Sequence, residues 1–138
     1  MYQDLREYIG LLDREGLLMR VDTPVDKDTE LHPLVRWQFL GLPDHERKAF
    51  LFNNVVDAKG RSYETPVVLG ALASNEAIYA LGMGCDPGKS FATWSAAVAA
   101  PLAPVMVDTG PVKEEIHVGD SLLEHGGLDE FPVPISTP

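Results

Sequence analysis

Two apolar stretches near the middle of the chain, AFLFNNVV at residues 49–56 and PVVLGAL at residues 66–72, predict the strands of a small sheet. A polar loop, DAKGRS at residues 57–62, joins them. Residues 67–69 (VVL) are apolar on successive positions, which is typical of a strand buried on both faces. A third short strand, LLMRV at residues 17–21, comes earlier in the chain.

Four helices are expected to cover this sheet, over residues 4–15, about 29–40, 75–83 and 91–100. Helices packed on one small sheet define an α+β fold. The fold class predicted from the sequence is therefore α+β, with about four helices on the sheet.

The first helix begins at a capping box, Asp4-Leu5-Arg6-Glu7. In this motif Asp4 accepts a hydrogen bond from the first turn and Glu7 reaches back towards the start of the helix. Gly16 is expected to end the helix. The apolar stripe of the helix consists of Leu5, Tyr8, Ile9 and Leu12.

The second helix is expected to begin after Asp28 or Thr29 and to stop at Gly41 and Pro43. Its predicted buried residues are Leu31, Leu34 and Val35.

Ser74 and Ser90 are the predicted capping residues of the third and fourth helices. The third helix carries Ala77, Ile78 and Leu81 on its apolar side. The fourth is rich in alanine, so we expect it to be thin and to pack closely on the sheet or on a partner.

The last part of the chain has a different character, because six prolines interrupt residues 101–138. Residues 105–107 and 112–118 are predicted to be extended, and a glycine-containing segment at 124–127 leads to the final FPVPISTP.

An extended tail leaves backbone groups that need hydrogen-bond partners from elsewhere. We therefore predict an α+β domain over residues 1–104 and an extended linker over residues 105–138, which leads into something larger.

GMGCDPGKS at residues 82–90 ends like a phosphate-binding loop, whose pattern is G-x-x-x-x-G-K-[ST]. Counting back from Gly88, the first glycine should stand at position 83, which is Met83. The preceding residues are also helical in character, whereas a phosphate loop follows a strand. We interpret the segment as a connection between two helices, with nucleotide binding as the last-ranked alternative.

The net charge of −10 argues against a nucleic-acid partner and against an anionic membrane surface. Residues 62–138 hold only Lys89 and Lys113 against ten acidic residues. No apolar run approaches the roughly 20 residues that span a bilayer. One cysteine, Cys85, permits no disulfide within the chain, and a cytoplasmic location is expected.

The residues that could carry chemistry form no recognisable constellation. The four histidines (His32, His45, His117 and His125) lack the spacings of metal ligands. Glu114 and Glu115 would point to opposite faces of a strand. Cys85 has no neighbouring histidine. We assign no catalytic, cofactor-binding or metal-binding residue within the chain.

Five separated segments nevertheless resemble, in order, the N-terminal region of UbiD-like decarboxylases. They are DLREYIGLLDREGLLMRVDTPVD, FLFNNV, TPVVLGALAS, PLAPV and VKEEIHVGDSLLEHGGLDEFPVPI. The last segment weighs most, because in the family an element of this kind leads into the flavin-binding domain, a split barrel that is expected to lie outside this chain.

The resemblance implies a carboxy-lyase that acts on aromatic or α,β-unsaturated acids. Its cofactor would be prenylated FMN, which serves as an electron sink while CO2 departs. A divalent metal such as manganese and a monovalent ion such as potassium would help to hold the cofactor phosphate. The family's cofactor-binding and catalytic residues lie downstream of FPVPISTP, so this chain alone is expected to be inactive.

The resemblance also implies partners, namely a downstream flavin-binding domain or subunit and a homo-oligomer. A different class of function stays open, in which the chain is a free-standing binding or interaction module that has kept this domain without the chemistry.

Overall fold

A computed structural model describes residues 2–124 and 127–135, and its centre is a three-stranded mixed sheet. The strands are β1 (Leu18–Val21), β3 (Ala49–Phe52) and β6 (Val67–Leu69), in the order β1-β3-β6. β1 and β3 run parallel, whereas β3 and β6 run antiparallel. Together with the helices this sheet confirms the predicted α+β class.

A second small sheet continues from the first. It contains β2 (Val25–Asp26), β4 (Val55–Val56) and β5 (Ser62–Tyr63), in the order β2-β4-β5. β4 pairs in parallel with β2 and antiparallel with β5.

The single strand predicted over residues 49–56 is therefore wrong, because two strands of different sheets share this stretch. The break falls at Asn53 and Asn54. Asn53 N–H donates to the Val21 carbonyl at 3.0 Å, and Val25 N–H donates to the Asn54 carbonyl at 3.0 Å. The chain thus passes from one sheet to the other at two polar residues that are poor strand formers.

β3 is the strand that is buried on both faces, since all four of its residues are buried. One face joins a cluster that includes Tyr8, Leu12 and Ile78. The other face stacks Phe50 against Phe52 and joins Leu31, Val35 and Val55.

We predicted burial on both faces for residues 67–69 instead, and these residues are only half-buried. β6 lies at the edge of the sheet, so one side of it lacks a neighbouring strand.

Helix α1 (Leu5–Arg14) has the predicted cap, with Asp4 Oδ1 accepting from Glu7 N–H at 2.8 Å. The Glu7 carboxylate accepts from Gln3 N–H, one residue before the cap. Tyr8 and Leu12 are buried as predicted, whereas Leu5 is 60% exposed. Leu5 is the first residue of α1, at the end of the helix.

Helix α2 (Leu31–Gly41) buries Leu31 and Val35 as predicted, but Leu34 is 40% exposed. The next buried position after Val35 on this face is the polar residue Gln38.

Helix α3 (Glu76–Met83) is capped by Asn75, whose Oδ1 accepts from Ile78 N–H at 2.7 Å. The prediction that Ser74 caps it is wrong. Ser74 is buried and accepts a hydrogen bond from Gln38 Nε2 at 3.3 Å.

Helix α4 (Ser90–Ala99) includes Ser90 as its first residue rather than as its cap. It packs against α3 instead of the sheet, and beyond Ser90 nearly all of its residues are exposed. A partner therefore remains the expected covering of this helix.

The tail, by which we mean residues 105–138, is less extended than predicted in its described part. Residues 105–107 form no regular element, and residues 112–118 overlap a 3-10 helix, Pro111–Lys113. The turn closes because Lys113 N–H donates to the Gly110 carbonyl at 2.9 Å. Helix α5 (Ser121–Glu124) and a 3-10 helix, Leu128–Glu130, follow.

The predicted segment 124–127 and the final FPVPISTP lie partly outside the described residues. No helix within residues 2–124 and 127–135 is long and apolar enough to cross a membrane.

Candidate functional site

The GMGCDPGKS segment joins α3 to α4, as predicted. Gly84 ends α3 in the left-handed region, with φ of 66°, and Lys89 N–H closes the following turn on the Asp86 carbonyl at 3.1 Å. Lys89 Nζ is paired with Asp86 at 2.7 Å. A phosphate loop follows a strand, whereas this turn follows a helix, and Lys89 is already paired with Asp86. The segment therefore does not fit a phosphate loop.

Glu76 on α3 holds this turn. Its Oε1 accepts from Gly88 N–H at 3.0 Å and from the Ser90 hydroxyl at 2.8 Å. The segment is thus stabilised by a contact between two helices.

The three histidines within the described residues form no metal-binding group. His45 lies on the surface near Glu46, and His117 lies 3.8 Å from Glu115. His32 is the second residue of α2, and its Nδ1 is buried without a hydrogen-bond partner in the described structure. His125 lies outside the described residues.

After residue 61, the described part of the chain offers no free lysine or arginine for a flavin phosphate. No group of three or more His, Cys, Asp or Glu residues within them could hold a metal ion. Of the two cations after residue 61, Lys89 is paired with Asp86, and Lys113 Nζ donates to the Asp108 carbonyl. We therefore assign neither lysine a role in holding a cofactor.

Exposed apolar residues lie on α4 and in the segment that follows it, and we call this set (Phe91, Trp94, Val98, Leu102 and Met106) the α4 surface. Phe91, Trp94 and Val98 lie at helical spacing on one side of α4, with exposures of 84%, 57% and 63%. Leu102 and Met106 follow α4 in the sequence and are almost fully exposed. Exposed apolar residues that form a contiguous patch are typical of interaction sites.

A second feature is a pocket of about 560 Å³ between the second sheet and the tail. From residues 27–63 it is lined by the polar residues Lys27, Asp28, Asp57, Lys59, Arg61 and Tyr63 together with Ala58, and from the tail by the apolar residues Leu128, Phe131 and Val133. We call it the Tyr63 pocket. Ile135 N–H donates to the Lys27 carbonyl at 3.2 Å and holds the tail beside β2.

Internal hydrogen bonds occupy the two acids of this pocket. The hydrogen bond from Lys27 holds the pKa of Asp28 below its usual value, with a further contribution from Ala58 N–H. The backbone N–H of Arg61 is the main cause that lowers the pKa of Asp57, and Lys59 N–H adds to it. Both carboxylates are therefore charged and already engaged near neutral pH.

Two cations flank the Tyr63 ring. The Arg61 guanidinium lies 5.0 Å from the ring centroid and the Lys27 ammonium 6.0 Å from it. The side chains of Lys59 and Arg61 form no hydrogen bond or salt bridge with the described part of the chain.

The sequence reasoning treated residues 57–62 only as a connecting loop and missed this pocket. The density of cations around Tyr63 was a usable signal. The apolar side, however, comes from residues about 70 positions later in the sequence, and no local pattern indicates that these two segments meet.

Comparison with known proteins gives a consistent result. Residues 9–98 match the family model described as the 3-octaprenyl-4-hydroxybenzoate carboxy-lyase N-terminal domain. Pyrrole-2-carboxylic acid decarboxylase of Pseudomonas aeruginosa is 31% identical over 140 aligned positions, which cover 96% of this chain and 27% of that protein. The chain thus spans about a quarter of the length of this relative.

Solved structures agree with this match. An evolved dimeric form of the UbiD-class enzyme HmfF from Pelotomaculum thermopropionicum, in complex with prFMN, superposes with a TM-score of 0.74 at 28% identity, covering 99% of this chain and 29% of that one. The open form of vanillic acid decarboxylase ShVdcCD from Sedimentibacter hydroxybenzoicus gives a TM-score of 0.51 at 28% identity, over 64% of this chain and 18% of that one.

Proposed function

Because the chain belongs to the family of 3-octaprenyl-4-hydroxybenzoate carboxy-lyase N-terminal domains, we propose that it is the N-terminal domain of a UbiD-type decarboxylase that acts on an aromatic or α,β-unsaturated acid. The residues that bind the cofactor and perform the chemistry belong to a part of the enzyme outside residues 1–138. By itself this domain is inactive. Its division into a domain over residues 1–104 and a linker over residues 105–138 is part of the proposal.

The α4 surface is the observation that carries the proposal. Exposing Phe91, Trp94 and Val98 to water is unfavourable, at about 25 cal/mol per Å² of apolar surface. A flavin-binding part of the same enzyme is the covering that fits, because this chain covers only 27% and 29% of the matched relatives.

Prenylated FMN is the proposed cofactor of the whole enzyme, since the HmfF relative is in complex with prFMN. When bound, it supplies an electron sink for the loss of CO2. Manganese and potassium as phosphate-holding ions, a homo-oligomeric assembly and a cytoplasmic location complete the proposal. The dimeric form of HmfF supports the assembly, and the single cysteine supports the location.

Mass spectrometry of the native protein, purified from its source cells without denaturation, tests this assignment. We expect either a polypeptide longer than 138 residues or a co-purifying chain that carries the flavin-binding part. Recovery of a 138-residue chain with neither would contradict the proposal and favour the free-standing interaction module.

A further inference from the structure

The Tyr63 pocket carries an inference that does not depend on the proposed function. We infer that it binds a small amphipathic anion, meaning one carboxylate or similar anionic group attached to an apolar body. Three independent features of the pocket lead to this ligand class: two of its cations, its apolar wall and its size.

Lys59 and Arg61 are the two cations of the pocket whose side chains form no hydrogen bond or salt bridge within the described part of the chain. The Arg61 guanidinium lies over the Tyr63 ring, and the charge of Lys59 helps to lower the pKa of Asp28. Lys27 is neutralised by its salt bridge with Asp28, so it contributes little to anion binding. Asp57 is engaged by two backbone N–H groups and by the Tyr63 hydroxyl at 3.4 Å. Lys59 and Arg61 therefore remain as donors for a ligand, and a guanidinium can bind a carboxylate through two parallel hydrogen bonds.

The charge of the pocket differs from that of the molecule. The whole chain has a net charge of −10, which repels anions. The pocket holds three cations (Lys27, Lys59 and Arg61) against two acids (Asp28 and Asp57), so its net charge is positive. An anion that approaches this protein finds a favourable local field here.

The apolar wall is formed by the tail. Leu128, Phe131 and Val133 face the pocket with exposures of 79%, 51% and 50%. The Tyr63 ring also lines the pocket, with the Arg61 guanidinium 5.0 Å from its centroid. A ligand with an apolar body can cover the wall while its anionic group reaches Arg61, whereas an inorganic ion cannot.

The volume suits a small organic molecule. About 560 Å³ falls within the roughly 300–1,000 Å³ of ordinary ligand pockets. Since the two sides come from different segments, a bound ligand would also strengthen the docking of the tail beside β2.

Three probes separate the contributions of the anionic group and of the apolar body to binding by the full 138-residue chain. Hexanoate has both an anionic group and an apolar body, acetate has only the anionic group, and hexan-1-ol has only the apolar body. Binding is followed by titration of ¹⁵N-labelled protein, monitored by the amide signals of Lys59, Arg61 and Tyr63. We expect saturable shifts with hexanoate and at least about tenfold weaker binding of the other two. Hexan-1-ol lacks the hydrogen bond to a charged group, which is worth about a factor of ten or more, and acetate lacks the methylene groups, each of which contributes about a factor of four when buried.

Variants test the assignment to these residues. Arg61→Met should weaken hexanoate binding about tenfold or more, and Phe131→Ala should weaken it without abolishing the response. Arg36→Met is the matched control, since Arg36 is an exposed arginine on α2 away from the pocket, and it should bind as the unaltered chain does. If the Arg61→Met variant loses the dispersed amide signals of a folded protein, Lys59→Met is tested in its place.

Several results would overturn the inference. Equal affinity for acetate and hexanoate would indicate a simple anion site, and equal affinity for hexan-1-ol would indicate a simple apolar site. Absence of saturable binding, or shifts confined to the α4 surface, would remove the Tyr63 pocket as a site.

Discussion

The side-chain amide of Gln38 forms two hydrogen bonds with the backbone of Lys48. Its Nε2 donates to the Lys48 carbonyl at 2.9 Å, and its Oε1 accepts from the Lys48 N–H at 2.8 Å. Lys48 directly precedes β3, the strand that is buried on both faces. This one side chain therefore fixes α2 to the start of the central strand.

Replacing Gln38 with leucine should destabilise the fold. The change leaves a partly buried N–H and carbonyl of Lys48 without partners, at a cost of about 1–3 kcal/mol. Urea unfolding measures the loss. Gln3→Leu is the control, because Gln3 is exposed and its side chain forms no hydrogen bond in the described structure. An equal midpoint for both variants would show that the Gln38 amide is not structural.

A second prediction concerns pH. The Tyr8 hydroxyl is buried and donates to the carbonyls of Ala71 and Ile78, at 2.8 Å and 3.1 Å. Burial raises the pKa of Tyr8 to about 12, and the nearby Tyr2 adds to the rise. The unfolded chain, whose tyrosine has a pKa of about 10, releases this proton first.

The stabilisation that protonation of the Tyr8 hydroxyl contributes is therefore complete below pH 10 and is lost between pH 10 and 12. The unfolding midpoint should fall more steeply across this interval in the unaltered chain than in Tyr8→Phe, which has no proton to lose. Parallel pH profiles of the two proteins would contradict the assignment.

The turn between α3 and α4 gives a third prediction. Lys89→Ala should change stability by no more than about 0.5 kcal/mol, as for other exposed changes, because its salt bridge with Asp86 is fully on the surface. Glu76→Ala should cost more, since it removes the acceptor of Gly88 N–H and Ser90 Oγ. Thermal unfolding compares the two. Binding of ATP that disappears in Lys89→Ala would overturn the structural role of this turn.

A fourth prediction uses two glycines. Gly70 ends β6 with φ of 72°, and an added Cβ would overlap the Ser74 hydroxyl. Gly70→Ala should therefore destabilise the protein by at least about 2 kcal/mol, through backbone strain together with the overlap.

Gly41, at the end of α2, is the matched control, because a Cβ there meets no atom within 4 Å. Gly41→Ala should leave the protein unchanged or stabilise it by about 0.5 kcal/mol. Similar unfolding midpoints for both alanine variants would show that the conformation at Gly70 imposes no constraint.

The positions of helices and turns could be predicted from the sequence better than the burial of their residues. Capping at Asp4 and the connection at GMGCDPGKS depend on neighbouring residues, and both were predicted correctly. Burial depends on the whole sheet. The edge position of β6 follows from strand order, so the apolar run at residues 67–69 could not indicate that its burial is only partial.

The same limit explains the missed residues of the core and the pocket. Gln38 is buried because the Lys48 backbone lies within reach of its amide, which no periodic pattern shows. Ser74 and Asn75 are both good capping residues, and only the packing of Ser74 against Gln38 decides between them. The Tyr63 pocket requires the tail to return to β2.

The central claim is that this chain is one domain of a decarboxylase whose chemistry resides elsewhere in the enzyme. Release of CO2 from aromatic and acrylic acids, with prenylated FMN and manganese supplied, tests it most directly. The assay compares the 138-residue chain with the same chain joined to, or co-expressed with, the flavin-binding part found with the native protein. Val98→Asp on the α4 surface is compared with Leu5→Asp, another exposed apolar residue, on α1.

We predict that the chain alone is colourless and releases no CO2, and that adding the flavin-binding part produces flavin binding and activity together. Val98→Asp should weaken both, and Leu5→Asp should weaken neither. Turnover by the 138-residue chain alone would contradict the account, as would a combined protein that binds flavin but shows no decarboxylation of any of these acids.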